Sequence, residues 1–360
     1  MAEAEGCHAA LHQTPTTHIR ETQMTRSTDV SECAGRSTRR EMLQIGGGLA
    51  LAAGFQGTTA SAQTNATTFT VQSYASDPKD VDAVNTHWFE TSEGIVVIDC
   101  QRLLPEAKHV LGLVQRLGRP IAAIVITHAH SDHYGGLPVF RSAAPDAPVY
   151  AVETTLRTIR DDTHGFTAAR RRRHGDRFPT PETVAANAPT HVVSHGDRLE
   201  IGGIAMDVIV LSAGEADATA MLHLPEHGVI FPGDFVQNTK IPVPFHSLET
   251  WLAQLAAVDA ALSGDTLAYQ GHGVPAPLGA QIGEMRVYLE LARDLVRDGL
   301  GEADVLSDHD ASAIAEALVE RFPFHVAGGG ATRDRALAGV IARIAAQQMR
   351  GDTAALPFIG

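Results

Sequence analysis

The sequence predicts an α/β fold, and three observations carry that prediction. Short β-branched runs alternate with stretches of helical spacing between residues 69 and 277. Several of those runs end in His, Asp or Glu, and the ends of strands are where α/β sheets hold their ligands. Beyond Pro277 the spacing is helical throughout, over roughly 278–299, 308–321 and 332–349, so residues 278–360 read as a helical C-terminal extension packed on the α/β part.

The elements follow in order. Phe69-Thr70-Val71-Gln72 alternates as a strand does. Residues 84–89 and 94–99 form a hairpin around Thr91-Ser92-Glu93-Gly94. Ile95-Val96-Val97-Ile98 has no polar face, which marks a buried strand, and Asp99 closes it. Residues 105–117 place Ala107, Val110, Leu111, Val114 and Leu117 on one helical stripe, and the apolar strand 121–126 comes next. Strand, helix, strand makes a right-handed parallel unit. A helix over 136–142, a strand over 148–152 and a helix over 153–161 continue the alternation.

From 162 to 190 the regular pattern stops. This stretch holds His164, the run Arg170 to Arg173, His174 and three prolines. Long irregular segments inside a domain are usually functional or mobile, so a lid or insertion beside the site is expected. Its arginines suit either the attraction of an anionic substrate or a solvated basic face, the commoner role of a charge run. Strands return at 208–211, then at 220–224 and 229–231 around the turn Pro225-Glu226-His227-Gly228. A helix over 247–262 and a strand over 266–270 complete a domain spanning 63–277.

The chemistry concentrates in His128-Ala129-His130-Ser131-Asp132-His133-Tyr134-Gly135-Gly136, directly after the strand 121–126. Neutral imidazole and carboxylate are good zinc ligands. One His-x-His pair says little, but His-x-His-x-Asp-His supplies enough donors for two neighbouring metals.

At these residues the sequence resembles the metallo-β-lactamase superfamily of binuclear metallohydrolases. The resemblance runs from about Phe69 to about Pro275. It implies a four-layer αββα sandwich, with His128 and His130 on a first metal and Asp132 and His133 on a second. It further implies that Asp234, after Val229-Ile230-Phe231-Pro232-Gly233, bridges the two, and that His272 in Gly271-His272-Gly273 binds the second. An acidic residue at the place of Asp99 supports the metal loop from behind in that family; a turn or helix cap is the plainer role.

One position departs from the pattern. Where the family usually has Gly-His after the strand ending at Leu211, the chain has Ser212-Ala213-Gly214-Glu215-Ala216-Asp217. Alkylsulfatase-type members carry a glutamate there, so Glu215 is expected to bind the first metal. Asp217 or a neighbour could take its place, or the first site could be weakened and one metal remain. Four neutral histidines and three carboxylates around two divalent ions leave a net charge of about +1, against about +2 with a histidine at 215. The oxygen-rich set strengthens the case for manganese or iron, although zinc is still favoured. Two such ions activate a water for attack and polarise the bond to be cut, and Asp132 is placed to hold or accept a proton.

Composition bounds the partners. The 360 residues are 44% hydrophobic and 19% charged, ordinary values for a globular chain. The net charge of −14 disfavours nucleic acid, whose phosphates need a basic face. A small-molecule substrate is expected, with peripheral membrane contact or none; self-association is left open. Ser37-Thr38-Arg39-Arg40-Glu41-Met42-Leu43, an apolar stretch to Phe55 and Ala60-Ser61-Ala62 resemble a twin-arginine export signal over residues 1–62, with Met24 as an alternative start. Periplasmic or secreted location follows. Cleavage after Ala62 leaves Cys100 as the remaining cysteine, so no intramolecular disulfide contributes.

The expected function is metal-dependent hydrolysis of a small ester, sulfate ester, lactone or β-lactam. Glu215 points toward sulfate or generic esters, whereas Gly233-Asp234 matches the commoner hydrolases. The alternative is a non-catalytic metal-binding accessory protein of the cell envelope.

Overall fold

The described residues fold into two six-stranded sheets, formed one after the other along the chain. The computed structural model describes residues 69–75, 83–303, 305–325 and 330–351; the export segment expected over 1–62 lies outside them. In the first half, β1 (Val71–Ala75), β2 (Asn85–Thr91) and β3 (Gly94–Ile98) form an antiparallel meander. Helix α1 (Leu104–Gln115) carries the chain back to β4 (Ile121–Val125), which runs parallel to β3. The one-turn helix α2 (Ser131–Tyr134) and α3 (Leu137–Ala143) lead to β5 (Val149–Val152). Helices α4 (Glu153–Asp161), α5 (Phe166–His174) and α6 (Pro181–Ala186) then lead to β6 (His191–Val193), and β4, β5 and β6 are all parallel.

In the second half, β7 (Arg198–Ile201), β8 (Ile204–Ser212), β9 (Ala218–Leu224) and β10 (Val229–Phe231) are antiparallel neighbours. Helix α7 (Leu248–Ala261) precedes β11 (Leu267–Ala268), which pairs parallel to β10, and β12 (Ala276–Pro277) closes that sheet. The extension is α8 (Leu278–Leu300), α9 (Asp308–Arg321) and α10 (Gly330–Arg350). No described helix is long and apolar enough to cross a membrane.

Strand alternation builds the layers. On β3, Val96 and Ile98 join Val208, Ala220, Leu222 and Phe231 in one apolar layer between the sheets. Ile95 and Val97 point the other way, to Val110 and Val114 of α1 and Phe140 of α3. Met221 and Ile230 of the second sheet meet α7, α8 and α10 through Trp251, Leu255, Met285 and Ile344. Successive residues of a strand face opposite sides, so an uninterrupted apolar run has to be covered twice. The result is the four-layer αββα sandwich, with the extension thickening one helical layer.

One expectation about the chain path is overturned. Residues 162–190 are not irregular, since α5 and α6 lie within them. Helix α5, Phe-Thr-Ala-Ala-Arg-Arg-Arg-Arg-His, buries only Phe166 and Thr167, too little to leave an apolar stripe in the sequence.

The loop after β4 is held tightly against the loop after β3. A Cβ on Gly136 would lie 2.1 Å from the Cys100 carbonyl oxygen and 2.4 Å from Cβ of Ala107. Gly135 would likewise meet the Arg102 carbonyl oxygen at 2.1 Å. The glycine pair is therefore required by close approach. Gly136→Ala should lower unfolding stability by about 1–3 kcal/mol, the usual cost of overpacking. A urea midpoint equal to that of the parent chain would show that the loop can move aside.

Candidate metal centre

The site begins where β4 ends. The N–H and Oγ1–H of Thr127 both donate to the Asp99 carboxylate, each at 2.9 Å. Nδ1–H of His133 donates to the same carboxylate at 2.8 Å. Asp99 sits at φ 60, a conformation that residues other than glycine rarely adopt, and these three bonds hold it there. They also place an Nδ1 proton of His133 against Asp99, so that Nε2 faces the cluster. Nδ1–H of His128 donates to Thr127 Oγ1 at 3.0 Å, which turns its Nε2 the same way.

Four strand ends deliver the rest. His128 and His130 follow β4, and α2 presents Asp132 and His133. Glu215 lies between β8 and β9, Asp234 follows β10, and His272 follows β11. The structure brings all seven together, buried, in two groups. His128, His130, Glu215 and Asp234 form one, Asp132, His133 and His272 the other, and within each group the donor atoms lie within 4.8 Å of one another. In the first group His128 Nε2 is 2.9 Å from His130 Nδ1, and His130 Nδ1 is 3.1 Å from Glu215 Oε1. Asp234 reaches across to the second, with its carboxylate 3.4 Å from His133 Nε2 and 2.9 Å from His272 Nε2.

Three of these atoms, His133 Nε2, Glu215 Oε2 and Asp234 Oδ1, are buried without a hydrogen-bond partner. Leaving such an atom unsatisfied costs about 1–3 kcal/mol. Their convergence with other imidazole and carboxylate donors fits divalent cations, which take these donor types. The donor set thus suits two ions, and Asp234 reaches from one donor group to the other.

Electrostatics within the cluster point the same way. Burial pushes the pKa of Glu215 up to about 7. Burial opposes charge on His133, but Asp234 and Asp99 override it and hold the imidazole well above its ordinary value. Burial lowers His128 to about 4 and His130 to about 3, so both are neutral donors. Asp132 is buried too, yet Arg102 at 2.8 Å and Lys240 at 3.5 Å hold its carboxyl well below the usual range.

Asp217, the other acidic candidate in its loop, is engaged elsewhere. It pairs with His164, and with His246 at 3.0 Å. Tyr134 turns away from the cluster to hydrogen-bond Thr167 Oγ1 at 3.0 Å. Arg102 and Lys240 had no signal in motif spacing. The chain holds three lysines, Lys79, Lys108 and Lys240, and only the rarity of lysine could have drawn attention to the last.

A cavity of about 530 Å³ opens over the cluster, a typical volume for a small-molecule site. His130, Asp132, Glu215, Asp234 and His272 line it on the cluster side. Arg170 and Arg173 of α5 line it too, three residues apart on one helical face, whereas Arg171 binds the carbonyls of Gly175 and Phe178. The arginine run is therefore divided between the cavity and a local cap.

Metal uptake should depend on pH. Protons on Glu215 and His133 compete with cations, so affinity should weaken as pH falls from 8 to 6. Chelator competition at pH 6, 7 and 8 measures this, and affinity unchanged across that range would contradict the arrangement.

The comparisons with known proteins agree with the geometry. The chain is 25% identical over 183 residues to a hydroxyacylglutathione hydrolase of Chromohalobacter salexigens, covering 51% of this chain and 58% of that protein. It is 24% identical over 198 residues to a linear primary-alkylsulfatase of a Pseudomonas species, covering 46% of this chain and 37% of that protein. The chain thus spans under two thirds of either relative. A metallo-beta-lactamase family protein of Thermus thermophilus superposes with a TM-score of 0.56 at 21% identity, over 79% of this chain and 94% of that one, a likeness of fold. A sequence profile of the metallo-beta-lactamase superfamily matches residues 80–320. The chain belongs to the metallo-β-lactamase superfamily.

Proposed function

We propose that the protein is an exported hydrolase with two divalent metal ions, zinc favoured, that cleaves a small ester, sulfate ester, lactone or β-lactam. The observation that carries this reading is the pair of buried donor groups at the base of a cavity sized for a small molecule. His128, His130 and Glu215 would hold one ion, Asp132, His133 and His272 the other, with Asp234 shared. When bound, the ions supply an activated water and an electrophile for the bond that breaks.

The chain's own residues do the rest. Asp99 fixes the orientation of His133 and, through Thr127, of His128. Arg102 and Lys240 keep Asp132 ionised. A carboxylate held so strongly ionised orients a proton rather than stores it, so Asp132 would serve as a ligand and as a hydrogen-bond acceptor for a water in the cavity. Lys240 also lies 3.4 Å from His272 Nε2, which puts a cation beside the place where negative charge develops. Phe166 and Phe245 pack around His130 and limit water on that side.

Similarity to an alkylsulfatase and to a hydroxyacylglutathione hydrolase favours ester-type bonds, and cationic walls favour substrates of negative charge. A cavity of this size favours a small molecule over nucleic acid. Export to the periplasm or beyond rests on the twin-arginine pattern before Gln63 and belongs to the same proposal. Asp132→Ala or His133→Ala, each in the metal-loaded chain, should lower kcat on an ester or sulfate-ester substrate by at least a hundredfold. Chelator should abolish turnover in the parent chain. Undiminished turnover in either variant would refute the assignment.

A further inference from the structure

Arg343 has no part in the chemistry above, yet its position is unusual. Helix α10 presents Ala336, Gly339 and Arg343 to the cavity, spaced as one helical face. One turn on, Gln347 accepts the Leu248 N–H at 2.9 Å and donates to the Pro244 carbonyl at 3.1 Å. These bonds fasten the helix to the segment that carries Phe245. The guanidinium carbon of Arg343 lies 4.8 Å from the centre of the Phe245 ring, and that ring is 4.5 Å from the His130 ring. Those two spans cap the distance from Arg343 to the His130 ring of the donor cluster, so one short molecule in the cavity can touch both.

The guanidinium is also short of a partner. Arg343 is only 5% exposed, and its buried Nη1 has no hydrogen-bond partner. Burial alone pulls its pKa down, with no carboxylate pulling the other way. A largely buried cation with no carboxylate beside it is costly, because it has lost much of its water and gained the face of one aromatic ring. An anion entering the cavity would supply the missing counter-charge through Nε and Nη2, which are not among the buried unpartnered atoms. The planar fork of a guanidinium matches the two oxygens of a carboxylate, and Phe245, Ile241 and Val243 offer an apolar wall for a short carbon chain between the two ends.

We propose that Arg343 is a carboxylate-binding subsite, and that the substrates are monoesters of short dicarboxylic acids. The substrate class rests on the hydrolase reading above; the subsite does not. In the reaction the oxygen of water joins the acyl carbon and the acyl C–O bond breaks. The alcohol leaves with one of the water's protons, the other passes to solvent as the new carboxyl group ionises, and a dicarboxylate remains with its far end on Arg343.

The test compares 4-nitrophenyl hydrogen glutarate with 4-nitrophenyl butyrate on the metal-loaded full chain. The parent protein should prefer the glutarate monoester about tenfold or more in kcat/KM, the size of a charge-assisted bond. Arg343→Gln should reduce that preference at least tenfold, chiefly through KM, and Arg343→Lys should keep part of it. Calorimetry with glutarate, referenced to butyrate, reads the subsite without turnover on both metal-loaded and metal-free protein. Glutarate should bind at least tenfold more weakly to Arg343→Gln. If that variant does not fold, Arg343→Lys takes its place, with weakening of about threefold or more expected. Turnover of neither ester by the parent chain would count against the hydrolase reading, while calorimetry still decides the subsite. Equal glutarate affinity in parent and variant, or an unchanged ester preference, would overturn it.

Discussion

Seven ionisable side chains are buried together at the ends of the two sheets, and the rest of the structure depends on how that burial is tolerated. Charged and polar groups taken out of water are costly unless paired. Here pairing is incomplete. Arg102 and Lys240 neutralise Asp132, and Asp99 satisfies His133 from behind, yet donor atoms of His133, Glu215 and Asp234 remain without partners. The fold can hold such a cluster because three apolar layers flank it. Each fully buried aliphatic or aromatic side chain contributes about 1.5–3 kcal/mol. Divalent cations would turn the remaining deficit into binding energy.

Asp99 links the two requirements. It ends β3 in a left-handed backbone conformation, takes three hydrogen bonds from Thr127 and His133, and so ties the end of β4 to the helix that presents the second donor group. The glycine pair at 135 and 136 allows that helix to approach the loop beyond Asp99. Backbone strain, close packing and ligand orientation are thus one local arrangement. The C-terminal extension has a comparable double part, since α10 packs on the core through Ile344 and walls the cavity through Arg343.

Much of this was legible in the sequence, and the limits have physical causes. The strands into and out of the site were readable because buried strands are short, apolar runs, and each of the four is followed by a donor residue within four positions. The three tail helices were readable because long amphipathic helices repeat their spacing many times. Helix α5 was not, because two buried residues leave no period to detect. Strand β11 was expected over five residues and pairs over two, although the Tyr269 N–H still reaches the Ile230 carbonyl at 2.9 Å. Arg102, Lys240 and Arg343 were out of reach for another reason. A single cation carries no pattern, and its meaning comes from elements distant in sequence that fold around it.

We propose that Glu215 completes a two-ion site. Elemental mass spectrometry of the purified chain from Gln63 onward, together with its Glu215→Ala variant, tests it most directly. The account predicts two divalent ions per parent chain and about one per variant chain, with the fold retained in both. One ion or none in a folded parent chain, or two in the variant, would contradict it.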